Sequence, residues 1–248
     1  MKITKIIATT IFLTALALTS WAQEEDEGPI AYTYATYYYC GDGMDRVDEI
    51  IAADADRMNG FVEDGTITGW GWLEHHTGGP WQRAMYYQSD SVEALLSAYD
   101  TMDEDDSAAD DDDGPGFGEI CPRHDDYIWQ MDAGSNSETR GAAGFSVYYV
   151  CDIDKEARAG ELVDEHIGPI LDGFVEEEKL SSWGWSTHLV GGRYRALQTM
   201  TASDMQSLMA ARGDVIAAVY GEENEAGAEF SQICGPHVDY LWNIQLEN

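Results

Sequence analysis

Two short runs set the same reactive residues in the same order. Residues 120–131 read ICPRHDDYIWQM, and residues 233–245 read ICGPHVDYLWNIQ. Each places a Cys three residues before a His and follows with Asp-Tyr-x-Trp. A Cys-x-x-His pair could supply half of a tetrahedral zinc site. In oxidising surroundings the same cysteine would instead be half of a disulfide. The four cysteines, Cys40, Cys121, Cys151 and Cys234, allow three pairings. The histidines of the runs are His124 and His237. His75 and His188 each follow the second Trp of a Trp-Gly-Trp by three residues, and Arg83 and Arg195 each precede an Ala. Histidine supplies a proton donor or acceptor near neutral pH. Arginine on a buried strand must find an anion, either a structural carboxylate or a ligand's carboxylate or phenolate.

The compartment decides between metal and disulfide. Lys2 and Lys5 precede an apolar stretch at 6–19 (IIATTIFLTALALT), and Ser20-Trp21-Ala22 offers small residues before Gln23. This is the pattern of a secretory signal peptide over residues 1–22, cleaved after Ala22. The apolar stretch is short for a membrane span, and an acidic segment, 23–30, follows it. Export makes disulfides the expected state of the cysteines, in the periplasm or the extracellular medium, and no metal is predicted. The net charge of −34 makes nucleic acid and anionic membrane surfaces poor partners. It fits a saline environment, where screening blunts self-repulsion.

The two runs belong to a longer repetition. Gly60-Phe61-Val62-Glu63 recurs as Gly173-Phe174-Val175-Glu176, and Trp70-Gly71-Trp72 as Trp183-Gly184-Trp185. Gly78-Gly79 matches Gly191-Gly192, Arg83-Ala84 matches Arg195-Ala196, and Tyr37-Tyr38-x-Cys40 matches Tyr148-Tyr149-x-Cys151. The order is kept at an offset of about 111–114 positions, so each copy is domain-sized. Repeat 1 spans 31–131, a small polar linker spans 132–143, and repeat 2 spans 144–248. In the first copy, strand-like aromatics at 31–40 lead to apolar residues at helical spacing over 44–63. Alternating residues at 67–75, a Gly-Gly turn and 82–88 make a hairpin. Ser89-Asp90 then caps a helix over 91–101, and the Cys-x-x-His run is the closing strand. The second copy reads alike through 145–151, 155–178 with a kink at Gly168-Pro169, 182–188, 194–201 and 205–219, with Ser203-Asp204 as the cap. The run DEDDSAADDDD at 103–113 stands in the first copy alone and reads as a solvated acidic insertion.

The fold class is therefore α+β: two tandem ferredoxin-like β-α-β-β-α-β repeats. Such a pair resembles the dimeric α/β-barrel superfamily, in which two four-stranded sheets pack face to face. That superfamily includes cofactor-free monooxygenases of the antibiotic-biosynthesis type, haem-using chlorite dismutases and dye-decolourising peroxidases. The resemblance rests on element order and repetition, and it implies a pseudo-dimer within one chain, which can be monomeric. The split βαβ arrangement orders its strands 4-1-3-2, so the end of strand 1 lies beside the start of strand 4. This expects disulfides Cys40–Cys121 and Cys151–Cys234, one per repeat.

Two functions follow as expectations. The first is an exported module that is structural or binds a small apolar or aromatic molecule. The second is an enzyme resembling the cofactor-independent monooxygenases, using Arg, His and Tyr to polarise a phenolic substrate. The candidate ligand-binding residues are Arg83, His75, His124, Arg195, His188 and His237, with Asp126 or Asp239 as the structural alternative partner of the arginines. The haem-using relatives employ a proximal His, but nothing around His124, His166, His188 or His237 selects one, so no cofactor is predicted and a haem enzyme stands as the third reading.

Overall fold

The computed structural model describes residues 31–248 except 107–114, 138–140 and 223, and leaves out the side chains of 103–106. The signal-peptide and acidic-segment readings, and most of the acidic insertion, lie outside the described residues.

Aromatic and β-branched residues at 31–39 make the first strand, β1 (Ala31–Tyr39). Apolar residues at helical spacing then form α1 (Met44–Glu63), which buries Val47 and Met58. The hairpin is β2 (Gly69–Gly78) and β3 (Arg83–Ser89), followed by α2 (Val92–Asp106), the short α3 (Phe117–Ile120) and β4 (Arg123–Asn136). The second half runs β5 (Ala143–Tyr149), a 3₁₀ turn at Ile153–Lys155, α4 (Glu156–Leu162), a π turn at Val163–Ile167 and α5 (Gly168–Glu176). It closes with β6 (Ser182–Val190), β7 (Ala196–Ala202), α6 (Met205–Tyr220), α7 (Glu225–Ile233) and β8 (His237–Glu247).

Local chemistry sets several of these boundaries. Asp204 caps α6 by accepting from Ser207 N at 2.9 Å. In the first half the cap is Ser91, which accepts from Ala94 N at 3.1 Å, so the helix starts just after the expected Ser89-Asp90. Pro169 has no N–H to give to the carbonyl four residues earlier, and the expected kink takes the form of the π turn. There the amide of Gly168 reaches back to Val163 O. The short α3 and α7 were not anticipated; each leads into the cysteine that opens the following strand.

The α/β barrel expected from the resemblance is present, and its two four-stranded sheets are joined edge to edge as well as facing each other. All eight strands form one closed barrel in the order β1-β3-β2-β8-β5-β7-β6-β4. Each half supplies four strands in the order 4-1-3-2, and the free edges join across the halves: β2 pairs with β8 and β4 with β6, both antiparallel. Closure satisfies the backbone groups that open edges would leave unpaired. It also explains why β4 runs through the stretch read as linker. Ala133, Gly134, Ser135 and Asn136 pair with Trp185, Gly184, Trp183 and Ser182.

Side-chain alternation sorts the residues into three cores. Trp70, Trp72 and Tyr87 face α1 and α2, and Trp183, Trp185 and Met200 face the helices of the second half. The opposite faces fill the barrel with Tyr37, Trp81, Tyr127, Trp129, Tyr148, Tyr194, Tyr240 and Trp242. Disulfides Cys40–Cys121 and Cys151–Cys234 tie the end of the first strand of each half to the start of its last, with sequence separations of 81 and 83. Loops of this size give a chain-entropy stabilisation of about 4–5 kcal/mol each. Replacing one pair by Ser should lower the denaturant midpoint without abolishing the barrel's far-ultraviolet signature, which equilibrium urea unfolding of each double variant will measure.

Candidate functional site

The aromatic barrel has one plugged end. At both hairpins a Gly-Gly pair turns the chain over a tyrosine from the other half. Gly78 and Gly191 hold φ near +134° and +140°, where side chains are strained. A Cβ on Gly79 would collide with the Tyr240 hydroxyl, and one on Gly192 with that of Tyr127. This close approach drops Trp81 and Tyr194 into the barrel mouth. The Trp81 indole lies stacked between Tyr37, with centroids 4.2 Å apart, and Tyr240, at 4.9 Å. Trp81 is 2% exposed. Burial of this kind raises the pKa of Tyr37 and Tyr240, so both are held as neutral phenols.

Beside the plug lies an open cleft of about 670 Å³, walled by Tyr39, Trp81, Tyr127, Tyr194 and Val238, with His124, Asp125, Asp126 and Arg193 as its polar groups. Asp125 Oδ2 accepts two hydrogen bonds, from Tyr39 Oη at 2.7 Å and Trp81 Nε1 at 2.8 Å. Desolvation, and then the hydrogen bond to Asp125, raise the pKa of Tyr39. His124 Nδ1 stands 3.0 Å from Asp126 Oδ2. On the opposite bank Arg193 lies over the Tyr194 ring at 4.9 Å and donates to its hydroxyl at 2.9 Å. Such a wall can stack a planar ring, while the polar bank orients it.

The cleft's carboxylates lie on one bank, with Arg193 on the other. Asp125 lies opposite Tyr37 across the β1–β4 pair, and Val238 lies opposite Tyr148 across β5–β8. Where Tyr39 ends the first strand, Val150 follows the corresponding strand of the second half. The mouth therefore carries Tyr-Asp-Trp on one side and Val-Val-Tyr on the other.

The six sequence candidates do not converge. Arg83 is 3% exposed and faces α1, where Asp48 takes it bidentately at 2.8 and 2.6 Å. Arg195 is held by Glu156 at 2.5 and 3.1 Å. Neither meets Asp126 or Asp239, because the helix above each strand supplies the carboxylate. Asp239 instead lies 3.3 Å from Arg212. The matching of the two arginines also shifts by one residue. His75 N donates to Gln82 O and His188 N to Arg195 O, so Gln82 stands where Arg195 does, and Arg83 where Ala196 does.

The histidines separate into two sets. His75 stands edge-on to Tyr240 and Trp242, and His188 to Tyr127 and Trp129, each across a seam between halves. Their Nε2 atoms are buried without a hydrogen-bond partner. His188 Nδ1 lies 2.8 Å from Arg195, which can only donate, so the neutral ring carries its proton on Nε2. Desolvation first, and then Arg83 or Arg195, lower both histidine pKa values. Of the candidates only His124 lines the cleft. His237 points its Nδ1 at Gly235 O. Sequence reasoning passed over Tyr39, Trp81, Asp125, Arg193 and Tyr194. Their signal was the departure from repetition at matched positions, Asp125 against Val238 and Tyr39 against Val150.

No family model matches the chain, and no curated protein matches it. Solved structures do. A "putative monooxygenase" of Fusobacterium nucleatum superposes with TM-score 0.64 at 9% identity, over 89% of this chain and 94% of that one. An anthrone oxidase-like protein gives 0.54 at 14% identity, over 90% and 94%. The fold is that of the dimeric α/β barrels. A third member of the fold, described as a "putative chlorite dismutase", gives 0.51 at 11% identity, over 86% and 94%. For a haem the residues here fit poorly. His188 and His75 are packed against rings, His124 is half-exposed in an open cleft, and His166 lies on the surface beside Glu165.

Two outcomes follow for this barrel. Asp48→Ala leaves the Arg83 guanidinium buried without its main anion and should cost about 3 kcal/mol, the lower end for a broken buried pair because Asp48 is part-exposed; chemical denaturation reads this directly. The histidines add a pH dependence. Their folded pKa lies below the ordinary 6.5, so the folded state binds fewer protons than the unfolded chain. Their stabilisation is present above 6.5 and is lost as pH falls through that value toward the folded pKa. Thermal melts across this window should show a decline that is blunted in a His75→Gln/His188→Gln variant.

Proposed function

We propose that the protein is an exported small-molecule-binding barrel whose cleft takes a planar aromatic ligand. The observation that carries this reading is the arrangement at the mouth. The interior is filled by its own rings, and an open aromatic wall with a hydrogen-bonding bank lies beside the plug. Tyr39, Tyr127 and Tyr194 would stack or edge the ring. Arg193, which has no carboxylate partner among the described residues, would face an anionic or phenolic substituent. The disulfides and the absence, among the described helices, of one long and apolar enough to cross a membrane agree with export.

A second reading, cofactor-independent oxygenation of a phenolic molecule, draws on one observation. His124 and Asp126 form a pair 3.0 Å apart at the rim of the same cleft, where a neutral imidazole could accept a phenolic proton. The monooxygenase and oxidase names of the similar structures give it company rather than proof. The arginines once expected to serve it are each neutralised by a helix carboxylate.

Calorimetric titration of the full chain with a naphthol, an anthrone, an aromatic carboxylate and an aliphatic acid of similar size will test the first reading. Saturable binding confined to the aromatics is expected, with Tyr39→Ala weakening it by about 1 kcal/mol, roughly fivefold. Binding that ignores Tyr39→Ala, or no aromatic binding at all, overturns it. Oxygen uptake during the naphthol or anthrone titration would favour the second.

A further inference from the structure

The barrel core is a continuous set of oxidisable rings. Trp242 stacks on Tyr240 at 4.9 Å, Tyr240 on Trp81 at 4.9 Å, and Trp81 on Tyr37 at 4.2 Å. Trp129 stacks on Tyr127 at 4.9 Å and donates its Nε1–H to Tyr37 Oη at 3.3 Å. Tyr148 meets Tyr37, Trp81, Tyr194 and Tyr240 at 5.1–5.6 Å. Electron tunnelling weakens exponentially with separation, so rings in contact exchange an electron vacancy far faster than they pass it to solvent.

Where such a vacancy stops is a question of protons. A phenol that loses an electron becomes a strong acid and is trapped as a neutral radical only if a base can take its proton. Within the core the phenols of Tyr37, Tyr148 and Tyr240 face other rings and neutral groups. At the mouth, Asp125 Oδ2 receives both the indole N–H of Trp81 and the hydroxyl of Tyr39. The innermost plug ring and a rim tyrosine thus meet on one carboxylate oxygen. Packing alone does not require this carboxylate, since the other side of the mouth is filled with Val238 and Val150.

We infer that the Tyr and Trp rings of the barrel form a relay for oxidising equivalents that ends on Tyr39, with Asp125 as the proton acceptor and Trp81 as the link to the core. An outer-sphere one-electron oxidant removes one electron from a core ring and is itself reduced by one. The vacancy moves ring to ring to Trp81. Tyr39 then gives Trp81 an electron as its O–H bond breaks and an O–H bond forms on Asp125. The products are a neutral Tyr39 radical, a protonated Asp125 and restored core rings. This activity is separate from ligand binding, although it places an oxidising group at the wall of the same cleft.

Near-ultraviolet laser photo-ionisation of tryptophan in the full chain, with the solvated electron scavenged by nitrous oxide and tert-butanol, generates the vacancy inside the protein. Transient absorption should show tryptophanyl radical decaying as tyrosyl radical grows, and freeze-trapped electron paramagnetic resonance should show one dominant tyrosyl species. Tyr39→Phe removes a single oxygen and should abolish that species. Trp81→Phe should abolish it under photo-ionisation, yet leave it intact when a photogenerated ruthenium(III) polypyridyl complex oxidises Tyr39 from solution. Asp125→Asn should slow tyrosyl growth and change its solvent deuterium isotope effect. Near-ultraviolet circular dichroism identifies variants that keep the barrel. A tyrosyl yield unchanged in folded Tyr39→Phe or folded Trp81→Phe overturns the relay, as does tyrosyl growth insensitive to Asp125→Asn.

Discussion

Closing eight strands into a barrel creates an interior that must be filled, and the rest of this molecule answers to that demand. Each half alone would be a four-strand sheet with helices on one face and a bare opposite face. Joining β2 to β8 and β4 to β6 removes both pairs of edges and turns the bare faces inward. A barrel of this size is just wide enough to be filled by side chains. Here tyrosine and tryptophan supply them, through pairs stacked nearly parallel on β4 and β8 and through Trp81 and Tyr194 delivered from the hairpins.

The choice of aromatics has consequences beyond volume. A buried phenol resists ionisation, so the core stays uncharged in a chain of net charge −34. The charges sit outside it. Arg83 and Arg195 are anchored to Asp48 and Glu156 on the helix side, and His75 and His188 are held neutral against the rings at the seams. Each seam histidine comes from one half and its two aromatic neighbours from the other, so the contacts that bury the imidazole also bind the halves together.

Much of the architecture was legible in the residues because it is local. The spacing Val47-Ile50-Ile51 makes α1, the Gly-Gly pairs mark the hairpins, and alternation correctly grouped Tyr127 with Trp129 and Trp70 with Trp72 on shared faces. What alternation cannot tell is which face looks at helices and which at the barrel, because both are apolar and aromatic. The extension of β4 along β6 was illegible for a related reason. Ala133 and Ser135 pair with β6 through backbone, and their small polar neighbourhood reads as linker. The arginine pairing slipped because an Arg-Ala dipeptide occurs one register apart in the two halves, and strand register is set by the turn before it rather than by the dipeptide. The carboxylates that neutralise the arginines come from helices distant in sequence, which no local spacing announces.

The site was hidden by the feature that made the fold easy to see. Repetition draws the eye to residues that recur, and here those are mostly structural: cysteines that tie strands, histidines that seal seams, glycines that clear a tyrosine hydroxyl. A closed barrel with two similar halves needs each of them on both sides, so recurrence marks what the scaffold requires. Function needs no such symmetry. Tyr39, Trp81 and Asp125 meet in one half where the other has Val150, Tyr194 and Val238, and the valines fill that side of the mouth with no polar partner to satisfy. A part-buried carboxylate carries a desolvation cost that packing does not explain. Asp125, bound to two oxidisable rings and bordering the open cleft, stands at a position whose counterpart, Val238, is apolar. The divergence between matched positions, more than their agreement, marks out the candidate site.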